Sequence, residues 1–252
     1  INATNTKGSA ADASYTGSAI TPTLAVVYGG STNLVQGTDY SFSGSYTDAG
    51  TYTITITGMG DYDGSASGTF TIAKASAALG NLKNQTLVSG KTYTFAPTGA
   101  FGKVSYAVDK KGKNYVKLSG AKATATGKGT ATITVTTAGD ANHEAQKATV
   151  KITVNKPAAV KGLKASSSKK KQISVSWKKT SCSGYVVQAS TSSNFKKIAS
   201  SATIKKEGTT KATLKKGLKS GQKYYVRVLS YGYQNKDAYR TASGKVTVKK
   251  VK

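Results

Sequence analysis

Residues 51–57 read Thr-Tyr-Thr-Ile-Thr-Ile-Thr, a strict alternation that puts Tyr52, Ile54 and Ile56 on one face and threonines on the other. A period of two with β-branched residues predicts a half-buried antiparallel strand. A turn-rich stretch follows at 58–64 (GMGDYDG), and the chain returns through 68–73 (GTFTIA) with Phe70 and Ile72 facing inward. The same ending recurs in other letters: 130–136 (TATITVT), a turn at 138–144 (AGDANHE), and 148–154 (ATVKITV). In each copy a Lys then leads onward, which predicts tandem related sandwiches and not one large domain.

Working outward, shorter strands are legible at 24–28 (LAVVY) and 39–43. The last third offers seven more, at 160–165, 173–178, 184–190, 194–198, 212–214, 224–231 and 245–251. Short strands separated by turns predict an all-β chain of three small antiparallel sandwiches, with almost no α-helix. Domain boundaries fall at punctuation: 1–74, 75–156, and 157–252 opening at Pro157. No stretch is rich enough in Pro, Ser or Gly to be a long linker, so the joints should be short and the array an extended rod.

Charge divides the chain unevenly. Residues 1–74 carry two Lys against five Asp, residues 75–156 twelve Lys against three acids, and residues 157–252 twenty-three Lys plus Arg against two acids. The nets are −3, +9 and +21, which make up the total of +27. The chain has two Glu, one His and one Cys. Metal hydrolysis, Cys/His catalysis and dithiol redox chemistry each need clusters of these types, so no cofactor or metal is expected and an enzyme is disfavoured. Cys182, flanked by serines in a loop, can form no intrachain disulfide and reads as a small filler residue. The apolar runs are far too short to cross a bilayer as helices. Beginning at Ile1 without a basic start or apolar signal, the sequence reads as a piece of something longer, with any export signal or wall anchor outside it.

Particular residues carry family resemblances. The last segment resembles a fibronectin type III domain through Trp177 closing its second strand, Gly184 and Tyr185 opening the third, and Leu218-Lys-Ser-Gly-Gln-Lys-Tyr224. The resemblance implies that Trp177, Tyr185, Leu218 and Tyr224 mark the core. It also implies that Leu218 and Tyr224 form a tyrosine corner, with the phenol bonded back to backbone. The family often has Pro between that Leu and Gly, where this chain has Lys219 and Ser220. The first segment is similar to the MBG domains of Gram-positive surface proteins, through residues 15–22 (YTGSAITP), 37–40 (GTDY), 50–52 (GTY) and 69–72 (TFTI). The middle segment resembles a bacterial immunoglobulin-like domain through 129–135 (GTATITV) and 139–142 (GDAN). These resemblances imply a secreted or wall-associated setting beside other domains of a longer chain, and carry no catalytic motif.

Several residues invite sharper readings. Asp61 and Asp63 lack the further ligands and closing Glu of a calcium loop, so an Asp-stabilised turn is expected. His143 and Glu144 have no second His to join them, and a loop position is the default. Lys–Asn isopeptide bonds, known in Gram-positive surface sandwiches, would need a nearby acid such as Glu144 or Glu207. Tyr231, Tyr233 and Tyr239 surround the last hairpin, either as platforms for sugars or as packing residues.

The lysine clusters are the most unusual feature: Lys169, Lys170 and Lys171, Lys178 and Lys179, Lys196 and Lys197, Lys205 and Lys206, Lys215 and Lys216, Lys249 and Lys250. They suit either plain solvated strands and turns or long-range attraction to anionic wall polymer or glycan. Nucleic acid readers usually add Arg forks, and here only Arg227 and Arg240 exist, so nucleic acid is disfavoured. The sequence thus predicts a non-catalytic extracellular spacer or presentation region. The alternative is an adhesive module that binds glycans or anionic wall polymers through the basic last domain.

Overall fold

The computed structural model describes residues 1–252 apart from residue 3 and residues 234–239. The described residues contain no α-helix; a short 3-10 turn lies at Gly112–Asn114. Among the described residues no helix is long and apolar enough to cross a membrane.

In the first third the strands are β1 Thr6–Ala10, β2 Ala13–Ser14, β3 Leu24–Tyr28, β4 Thr32–Leu34, β5 Tyr40–Ser41, β6 Gly50–Gly58 and β7 Ser65–Ala73. They form two sheets, β1-β3-β4 and β2-β7-β6-β5. Tyr52 is half-buried, Ile54 and Ile56 are buried, and the intervening threonines are exposed, as the period of two requires. Val26, Leu34, Tyr40 and Ile56 make one core cluster between the sheets, and Ile54, Phe70 and Ile72 make a second.

The middle third contributes β8 Gln85–Val88, β9 Thr92–Thr94, β10 Val104–Val108, β11 Val116–Ser119, β12 Lys122–Ala125, β13 Gly129–Thr137 and β14 Gln146–Asn155. Its sheets are β10-β13-β14-β8 and β11-β12-β9, enclosing Phe95, Val116, Ile133 and Ile152. In each of these two thirds an early strand runs parallel to the last strand: β2 beside β7, and β8 beside β14.

The last third holds β15 Lys164–Ser166, β16 Ile173–Ser176, β17 Gly184–Ser190, β18 Ser200–Ile204, β19 Lys211–Leu214, β20 Tyr224–Tyr231, β21 Arg240–Ala242 and β22 Val246–Val248. One sheet is β15-β16-β19; the other is β18-β17-β20-β21, with β22 also on β20. One reading needs correction here. The expected strand at 194–198 is a turn, because Phe195 sits at φ 57 and the Asn194 side chain accepts the Lys196 N–H at 3.0 Å, neither compatible with extended pairing. The strand is β18 instead, which together with β21 was not anticipated.

By packing, the chain resolves into two compact units. The first is Ile1–Gly80 with Pro97–Val104 and Thr136–Lys147; the second is Asn81–Ala96, Ser105–Val135 and Ala148–Lys252. Within the first unit, the His143 ring lies flat on Phe101, with centroids 3.4 Å apart, and edge-on to Tyr15. Asn142 accepts the Ala49 N–H at 2.8 Å and donates to the Asp48 carboxylate at 2.9 Å.

Candidate functional site

The core of the last segment is built around its aromatic residues. Trp177 follows β16, is 5% exposed, and packs edge-on against Tyr185 at 5.1 Å. Its indole N–H has no hydrogen-bond partner among the described residues. Tyr185 is fully buried; its hydroxyl accepts from the Thr180 N–H at 3.2 Å and donates to the Glu207 carbonyl at 3.0 Å. Burial pushes its phenol up to about 12. Gly184 can carry no side chain, since a Cβ there would lie 2.1 Å from the Ile204 carbonyl oxygen. Leu218 and Tyr224 share this core, and the Tyr224 hydroxyl accepts the Lys219 N–H at 3.0 Å.

Cys182 is buried in the β16–β17 connection, and desolvation raises its thiol above the usual range, away from nucleophilic use. Tyr231 is buried and donates to the Ile204 carbonyl at 3.1 Å, so it packs instead of offering a platform. The Tyr233 N–H donates to Ser89 Oγ at 3.0 Å, and Tyr239 lies outside the described residues.

The nine singled-out lysines, Lys169, Lys170, Lys171, Lys178, Lys179, Lys205, Lys206, Lys215 and Lys216, are all exposed. They are not brought into one cluster. Lys169–Lys171 occupy the β15–β16 turn, where the Lys171 N–H donates to the Lys252 carbonyl at 2.6 Å. Gly221, in the β19–β20 connection that Lys215 and Lys216 open, donates to the Val251 carbonyl at 2.8 Å. Backbone bonds therefore gather these five lysines and the chain's last residues at one end of the sandwich. Lys178 and Lys179 follow β16, and Lys205 and Lys206 follow β18. Near them Glu207 pairs with Lys91, from the β8–β9 turn, and with Lys179 at 3.7 Å. The hydrogen bond from Lys91 holds the Glu207 carboxyl below its usual range.

Elsewhere, backbone bonds close the 58–64 turn, Gly58 to Gly64 at 2.9 Å and Tyr62 to Met59 at 3.1 Å. Asp support appears in the corresponding 138–144 turn, where one Asp140 oxygen accepts the Asn142 and His143 N–H groups, each at 2.8 Å. His143 Nδ1 sits on the same oxygen, and this bond lowers the Asp140 carboxyl. No group of three or more His, Cys, Asp or Glu that could hold a metal exists among the described residues. Sequence reasoning missed the Arg227 guanidinium, which lies over Phe195 at 4.2 Å and donates to Gln188 at 2.9 Å. The positive φ at Phe195 that enables this stack leaves no local signal.

No curated protein matches the chain. Among solved structures, the FN1–FN3 domains of chicken CNTN1 are similar at 13% identity, covering 98% of each chain with a TM-score of 0.33. A two-domain fibronectin type III segment of chicken tenascin is 14% identical, covering 83% of this chain and 95% of that one, also with a TM-score of 0.33. Residues 158–246 match the family model of the fibronectin type III domain.

Proposed function

We propose that the chain is a non-catalytic extracellular region of a longer protein, in which three β-sandwich domains, 1–74, 75–156 and 157–252, space and present neighbouring domains. The observation that carries this reading is the segregation of the core: every hydrophobic cluster draws its residues from one of these segments alone. Modules built this way transmit position without needing a cleft. Fibronectin type III domains are generally non-catalytic modules of multidomain proteins, which supports the reading for the last segment. The first two segments are read as an MBG-like and a bacterial immunoglobulin-like module of a secreted or wall-associated Gram-positive protein. Incubation with wall and mucin glycans, followed by mass spectrometry, should release no product; sustained turnover would overturn the proposal.

A second reading is favoured by the nine exposed lysines, against which Glu207 is the single described acid between residues 157 and 252. In it the last segment adheres to an anionic polymer by long-range, salt-sensitive attraction. Nucleic acid is the weaker partner here because Arg is scarce.

A further inference from the structure

The outward face of the β15-β16-β19 sheet carries an open depression of about 720 Å³. Two cross-strand rows form its floor. One is Lys164, Ser176, Lys211 and the next is Ser166, Ser174, Thr213, in register across the three strands. The residues that alternate with them, Ala165, Val175 and Ala212, turn inward onto the core, so both rows point to water. Two strand spacings separate the backbones of Lys164 and Lys211 by about 10 Å. The hydroxyl row lies about 7 Å further along the strands. No Asp or Glu lines the depression, so the two ammonium groups have no acidic partner within it.

This chemistry selects among polyanions. The lining has no aromatic ring on which a base could stack and no guanidinium to fork onto phosphate or a base edge. Lys and Ser are also depleted from protein–protein interface cores. Lysine is a point charge suited to single acids; here two lie about 10 Å apart with the Ser176 hydroxyl between them and a hydroxyl row alongside, which suits a polymer with its own hydroxyls between its acids. We propose that this face docks a linear acidic polysaccharide carrying a carboxylate on every second sugar. The site rests on the adhesive reading and not on the spacer reading.

The test titrates the full chain with hyaluronan oligosaccharides by calorimetry at about 0.05 and 0.15 M salt. Lys164→Gln/Lys211→Gln should weaken binding by about tenfold or more, since two charge-assisted hydrogen bonds are lost. Ser174→Val/Thr213→Val, which keeps the charge, should weaken it several-fold. Lys249→Gln/Lys250→Gln, equal in charge change but outside the depression, should have a much smaller effect. Near-UV circular dichroism would check that each variant keeps its fold. Equal losses from the two lysine pairs would overturn the site. So would binding of dextran sulfate, polyphosphate or duplex DNA without hyaluronan, while leaving the adhesive reading intact. No binding of any polyanion would sink both.

Discussion

Tyr224 does two jobs with one side chain: its ring fills the core beside Leu218, and its hydroxyl takes the Lys219 N–H. Tyr224→Phe keeps the first and removes the second, so urea unfolding should show a loss of about 1 kcal/mol with an unchanged m-value. No measurable loss would mean that water replaces the bond at no cost. Trp177→Ala, which leaves a cavity against Tyr185, should cost about 3–5 kcal/mol. These residues were legible because the Leu-to-Tyr spacing and a lone Trp at a strand end are local signals. The Tyr185 bond to the Glu207 carbonyl was not, since the two residues lie in different strand connections. Nor was the fate of Tyr231, because a tyrosine in an alternating strand suits either face until its partner, here the Ile204 carbonyl, is placed.

Elements were read well where apolar β-branched and aromatic residues are dense or alternate. The strands β3, β17 and β20 have the expected limits, and β6 and β7 extend theirs by a few residues. By contrast, β18 (SSATI) has little apolar content and gains its place by pairing with β17 through Tyr185, Val187 and Ala189. That is information from the partner strand and not from its own letters. Loops were the least legible, because their bonds reach across sequence. The Glu207–Lys91 pair joins the segment after β18 to the β8–β9 turn, 116 residues apart.

This pair makes stability depend on pH in a defined direction. The folded-state carboxyl of Glu207 is depressed below its unfolded value. Its contribution is therefore present above the unfolded value and lost as pH falls through the folded one. Because the side chains of Lys91 and Glu207 are 36% and 25% exposed, solvent screening limits it to about 1 kcal/mol or less. Chemical denaturation of the parent and Glu207→Gln should thus differ at pH 7 and converge in strong acid. A gap that stays constant across that range would refute the pairing.

At the scale of the molecule, the net charge of +27 is a gradient along the sequence and not a uniform property, rising from −3 through +9 to +21. The lysines concentrate in the acid-poor last segment, while strands around apolar cores carry the architecture of all three segments. Each third has two sheets around its own apolar core, yet packing groups residues 97–104 and 136–147 with the first third. Whether the thirds unfold one by one is the central mechanical claim of a spacing and presenting function. Single-molecule stretching of the full chain, held at its ends, tests it most directly. Three separate unfolding events are predicted, with contour-length gains of roughly 250–330 Å for 74 to 96 residues; a single event of about 850 Å, or two events of which one is about twice a single segment's length, would contradict the account.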